Sequence, residues 1–189
     1  MTQDRWGEVG FAEGWDRKNA ARDSGVLLHG QGADGSTGRD FNGPWMRSVE
    51  AQIIEGGVGD IILVAGFEAD GTRLTPRLTA RAGKDRDGES VFDPAGEARV
   101  FESGRINWYG RDVDWKDTLG FRGAADVESP WGEWTRLEVI AQGDRLTYLV
   151  NGKVVNEGVQ SSLTEGKILF QCEGAEIFFR RIELQPVGR

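Results

Sequence analysis

One cysteine, one histidine, two methionines and five prolines are spread over 189 residues, and each scarcity closes off a class of answers. With Cys172 alone there is no intrachain disulfide. Ile168 and Phe170 share its strand parity, which predicts a buried, inert thiol. A single histidine, His29, excludes a two-histidine zinc motif and any clustered Cys/His metal pattern. A Ser-His-Asp triad could run only through His29, and no serine stands on a nucleophile-elbow motif. No stretch approaches the roughly 20 apolar residues of a membrane helix. The opening Met1-Thr2-Gln3-Asp4-Arg5-Trp6 lacks the apolar region of a secretory signal, which leaves a cytoplasmic chain or a processed form. Basic residues are also in the minority, 23 Lys and Arg against 31 Asp and Glu, for a net charge of −8. Nucleic acid and anionic membranes need clustered Lys and Arg, so neither is expected as a partner. A neutral ligand such as a sugar suits this balance.

What is abundant points to strands. The chain holds 28 glycines and 7 tryptophans, with few apolar residues at helical spacing. A hydrophobic share of 38% with 29% charged residues is that of a folded globular protein. The length predicts a single domain over 1–189. The clearest element is a hairpin, Trp134–Gln142 and Arg145–Val150, in which Leu137, Val139, Ala141, Leu146, Tyr148 and Val150 alternate with polar residues. Asn151-Gly152 then turns the chain into Lys153–Asn156, since both residues tolerate positive φ. Lys167–Glu173 and, past a Gly174 turn, Ile177–Leu184 read as strands. So do Ser24–Gly30, Arg47–Glu55, Asp60–Ala65, Leu74–Arg81 and Ala98–Glu102. Short strands between turn signals predict an all-β antiparallel sandwich rather than βαβ units. Gly83–Gly96 and Trp108–Pro130 read as long loops, the second carrying Trp108 and Trp115.

Two motifs mimic sites. Gly30-Gln31-Gly32-Ala33-Asp34-Gly35 has dinucleotide-loop spacing, but the Gly- and Pro-containing Ser36–Pro44 cannot open the required helix. Asp85-Arg86-Asp87-Gly88 lacks the further ligands of a calcium loop and reads as a solvated turn.

The strand through Arg47–Ile53 carries more. Period two sends Val49, Ala51 and Ile53 to one face and Ser48, Glu50 and Gln52 to the other. The apolar set belongs inside the sandwich, leaving Glu50 and Gln52 on the outer, wet face of the sheet. His29 takes the same parity as Leu27, so a neighbouring strand would bring it near Glu50. A carboxylate beside an imidazole can move protons near neutral pH, and an amide can hold a sugar hydroxyl. Ordinary solvated side chains are the simpler reading of period alone. Trp45, ahead of this strand, and Trp108 could serve the rim of a cleft or the core.

Ser24-Gly25-Val26-Leu27-Leu28-His29-Gly30 and Ser48-Val49-Glu50-Ala51-Gln52-Ile53, followed by Gly59-Asp60-Ile61, resemble paired strands of the 3-keto-disaccharide hydrolase domain family. Gly132-Glu133-Trp134-Thr135, Val150–Asn156 and Gly166–Ile182 are similar to that family's closing strands, with Arg181 where the family has Asn. The resemblance implies a concanavalin A/laminin G-like jelly-roll sandwich that acts on sugars oxidised at C3. The C3 ketone acidifies the C2 proton, a base removes it, the C1 substituent leaves, and water adds to the enone. It implies His29 or Glu50 as base, Asp60 as a further catalytic group, and Arg22, Gln52 and Gln171 as substrate-binding residues, to which the aromatic faces of Trp45 and Trp108 add two further candidates. Asp60 and Glu55 could tune the pair or hold a divalent cation. Family members are often exported. They also carry an upstream segment with the first strands, which this chain lacks, so a truncated chain with a sheet edge open to self-association is expected.

The competing readings are a non-catalytic, lectin-like carbohydrate-binding module and a structural interaction domain with an apolar surface patch.

Overall fold

The computed structural model describes residues 18–32, 45–68, 70–173 and 176–187. The start of the chain, the Ala33–Pro44 continuation of the glycine loop and the Gly174 turn lie outside the described residues. Among the described residues thirteen strands are found. They are β1 (Asp23–Gln31), β2 (Arg47–Ile54), β3 (Ile61–Val64), β4 (Gly66–Phe67), β5 (Arg73–Leu74), β6 (Leu78–Lys84) and β7 (Ser90–Phe92). Then follow β8 (Glu97–Phe101), β9 (Gly104–Ile106), β10 (Leu137–Gln142), β11 (Arg145–Val150), β12 (Lys153–Gly158) and β13 (Lys167–Glu173). No helix occurs among the described residues.

One layer is the five-stranded sheet β13-β1-β2-β3-β9, antiparallel throughout. Facing it are β10-β11-β12 and β7-β6-β8, which a bridge between Thr79 and Val159 joins. The core lies between the layers: Leu28, Val49, Ala51, Ile61 and Leu63 from the first meet Leu78, Phe92, Leu146, Tyr148, Val150 and Val155 from the second. The fold is an all-β sandwich. Alternation decides it, since each strand presents one apolar face and only another sheet can cover it.

The hairpin forms as its residues require. Asn151 adopts φ 49°, the left-handed conformation an Asn-Gly turn needs. Its side chain also accepts from the Arg136 amide at 3.0 Å and donates to the Val127 carbonyl at 2.8 Å, tying the long loop to the sheet.

Four expectations need correction. Leu74–Arg81 is not one strand but β5 and β6, because Pro76 between them has no N–H for a ladder. Gly83–Gly96 is not a continuous loop: β7 pairs with the end of β6 inside it. Residues 176–187 form no strand. Arg181 there takes φ 53°, which breaks extended backbone, and ring contacts hold the segment instead: Phe179 edge-on to Phe170 at 5.0 Å and Arg180 over Trp134 at 4.1 Å. Cys172 is exposed rather than buried, because β13 is an edge strand whose Ile168 and Phe170 are also uncovered.

Candidate active site

The register of the first sheet fixes which side chains meet. Gly25 pairs with both Gln52 and Gln171, Leu27 with Glu50, and Glu50 with Ile62, which pairs in turn with Arg105. Directly paired residues share a face. Asp23, Gly25, Glu50, Gln52, Gln171 and Arg105 therefore stand on one side of the sheet, opposite the core face of Val26, Val49 and Ala51.

This face is not the wet surface that alternation alone suggests. Glu50 is 4% exposed, Gln52 2% and Ser48 0%. β2 is the central strand of five, so neighbours on both sides crowd its side chains. Glu50 also folds inward over Gly25. A Cβ at Gly25 would lie 1.8 Å from Glu50 Oε1 and 2.9 Å from Gln171 Nε2. Only glycine leaves that space. Gln171 Nε2 donates to Glu50 Oε1 at 2.5 Å and holds the carboxyl there. Burial, with like charge from Glu173 and Asp23, pushes the Glu50 carboxyl up to about 8, against the Gln171 amide and Arg105. Near neutral pH such a group can both take and return a proton.

A polar chain extends from there. The Gln52 amide donates to Asp23 Oδ1 in a short contact, and its oxygen lies 3.5 Å from an Arg105 nitrogen. Arg105 also lies 3.7 Å from Asp60 Oδ2. Asp60, fully buried, accepts from the Trp108 amide at 2.8 Å and pairs with Arg111 at 2.6 Å. Burial pushes its carboxyl up to about 6, with Arg111 and Arg105 opposing.

The sequence-derived candidates separate into groups. Glu50, Gln52 and Gln171 come together on the polar face, and Asp60 adjoins them through Arg105. His29 does not join them. A bulge interrupts β1 between Leu27 and Gly30, His29 takes φ 55°, and its Nδ1 lies 2.9 Å from the Leu163 carbonyl oxygen. The bulge breaks the alternation on which its meeting with Glu50 rested. Arg22 pairs with Glu55, with Nε donating to Oε1 at 2.8 Å. Both line an apolar crevice with Val26 and Leu28, on the other side of the sheet. Trp108 offers no stacking face: it is buried in the core and donates to the Gly56 carbonyl at 3.2 Å. Trp45 is half-buried just ahead of β2. Glu55 and Asp60 do not gather as cation ligands, each being spent on arginine and backbone N–H groups. Among the described residues no three His, Cys, Asp or Glu side chains are placed to hold a metal ion.

Sequence reasoning missed Asp23, Gly25 and Arg105. The first two share parity with Leu27, so pairing β1 against β2 in register would have found them. Arg105 sits in a three-residue strand, too short for its parity to be read.

Over residues 1–185 the chain matches the 3-keto-alpha-glucoside-1,2-lyase-like domain family. The chain belongs to that family. No curated protein and no solved structure matches it. The 3-keto-alpha-glucoside-1,2-lyase-like assignment covers both layers and every residue of the polar face. Among the described residues, no helix is long and apolar enough to cross a membrane.

Proposed function

We propose that this chain cleaves 3-keto-glycosides on the polar face of its five-stranded sheet, with Glu50 as the general base. The observation that carries the reading is a buried carboxyl, clamped by Gln171 over Gly25, whose proton affinity lies near neutrality. Such a group suits the abstraction of a proton made acidic by an adjacent ketone.

Glu50 takes the C2 proton, and the electron pair moves toward the C3 oxygen. The pair then returns, the C1–O bond breaks, and Glu50 gives its proton to the departing oxygen. The product is an enone. Water attacks its C1 with Glu50 again as base, C2 is reprotonated, and the net reaction is hydrolysis. Gln171 and Gln52 orient the carboxyl and the sugar hydroxyls. Glu50 is preferred to His29 because the imidazole is engaged by the Leu163 carbonyl behind a bulge. Asp60 acts as a positioning group, through Arg105 and Arg111.

Glu50→Gln should lower turnover of a 3-keto-glucoside by roughly 10²–10⁴-fold, the usual worth of a positioned base. Product formation followed by chromatography checks this. An unchanged rate would remove Glu50 from the mechanism. Calorimetric binding of 3-keto and ordinary disaccharides without turnover would instead favour a carbohydrate-binding module.

A further inference from the structure

We infer that Arg105 is a catalytic residue of this site, the cation that receives the C3 oxygen of the substrate as negative charge develops on it. The inference rests on the reading of Glu50 as the C2 base.

Placement comes first. Arg105 pairs with Ile62 and Ile62 with Glu50, so the two charged residues share the polar face two strands apart. Strands lie about 4.8 Å apart, which separates their backbones by roughly 10 Å. Arg105 reaches back over half-buried Ile62 toward Gln52, while Gln171 holds Glu50 over Gly25 on the same face. In a 3-keto sugar the C2 proton and the C3 oxygen sit on adjacent carbons, so a base and a cation on one face of the sheet are what the reaction needs.

Availability comes second. Arg105 is partly open, its side chain 35% exposed. Its two polar contacts are long: 3.5 Å to Gln52 and 3.7 Å to Asp60. Asp60 does not depend on it, being already paired with Arg111 at 2.6 Å and bonded to the Trp108 amide at 2.8 Å. Arg111, 5% exposed, is committed to that pair and to the ring of Trp115 at 4.3 Å. Two arginines thus meet one carboxylate, and the outer one holds its polar contacts only at long range, which leaves guanidinium N–H capacity for a ligand. Its charge is felt at Glu50, where it opposes the upward push of burial.

When the C2–H bond breaks, the electron pair forms the C2–C3 double bond and the C3–O π pair moves onto oxygen. Arg105 donates hydrogen bonds to that enolate oxygen. Expulsion of the C1 substituent restores the ketone, and no proton stays on the arginine.

The test compares wild type, Arg105→Gln and Arg105→Lys on a 3-keto-glucoside and on the same glucoside unoxidised. Arg105→Gln should lower kcat by roughly 10²-fold, as loss of one oxyanion donor does, with affinity for the unoxidised glucoside unchanged by calorimetry. The rising limb of its kcat/KM against pH should move to higher pH, because Glu50 loses a cation. Arg105→Lys, which keeps the charge, should recover part of the loss and the wild-type pH limb. A kcat within about threefold of wild type in Arg105→Gln would overturn the assignment. So would an unmoved pH limb, or equal loss of both ligands with a lowered Tm in both variants. A wild-type protein inert toward the 3-keto-glucoside overturns the reading of Glu50, and this inference with it. Turnover by wild type with an indifferent Arg105→Gln overturns this inference alone.

Discussion

Gly25 and Glu50 share one small volume on the sheet, and the carboxyl lies where any other residue at position 25 would put its Cβ. Gly25→Ala should therefore displace Glu50 from Gln171 rather than merely crowd it. We expect a loss on the order of 1–3 kcal/mol in urea unfolding, the usual cost of overpacking, together with loss of turnover. Glu50→Gln separates the two effects, because it keeps the shape and removes the charge. The folded carboxyl titrates at about 8 against an ordinary 4.5. The folded state thus holds a proton that the unfolded chain has released, between those values. The stability contributed is complete below about 4.5 and is lost as pH rises through about 8. Wild type should lose stability across that window, on the order of a few kcal/mol, while Glu50→Gln stays flatter and is the more stable of the two at pH 8.5. Urea midpoints at a series of pH values measure this. Asp60→Asn should act differently, since it leaves Arg111 buried without its partner. A loss of about 3–5 kcal/mol is expected, visible as a fall in Tm even at pH 7.

At the scale of the element, legibility followed local chemistry. The hairpin of β10 and β11 and the Asn151-Gly152 turn were readable because alternation and left-handed turn residues act over a few neighbours. The two faces of β2 were readable for the same reason. Their exposure was not: whether Glu50 is wet depends on β2 lying between β1 and β3, which is a tertiary fact. His29 shows the opposite failure. One residue of bulge in β1 redirects it toward Leu163, and nothing in Leu27-Leu28-His29-Gly30 announces the bulge. Residues 177–184 have strand character but no partner strand, so propensity alone did not make a ladder. The β1 bulge yields its own prediction. His29→Gly relieves a left-handed φ in a non-glycine residue and gives up the bond to Leu163, two effects of about 1 kcal/mol that oppose each other. Stability should change by less than about 1 kcal/mol, and turnover should persist. Loss of turnover comparable to that of Glu50→Gln would return the base to His29.

Across the whole molecule, the long segment between β9 and β10 has no strand or helix of its own, yet carboxylates hold it against the 55–60 turn. Glu55 accepts from the Gly120 amide at 2.8 Å, Glu128 from the Gly56 amide at 2.9 Å, and Asp60 from the Trp108 amide at 2.8 Å. Burial, with Asp126 nearby, pushes Glu128 up to about 7. The same anchors place Arg111 on Asp60, and so leave Arg105 to the polar face. The sandwich thus sets Glu50 and Arg105 on one face of its five-stranded sheet, while its apolar faces meet between the layers. The central claim is that a C2–H bond breaks on that face. Its most direct measurement is turnover of a 3-keto-glucoside in D2O, with the released 3-keto sugar read by NMR against enzyme-free and product-only controls. Elimination and rehydration predict one solvent deuterium at C2 at the earliest times, absent with Glu50→Gln. Product that retains protium at C2 would contradict the account.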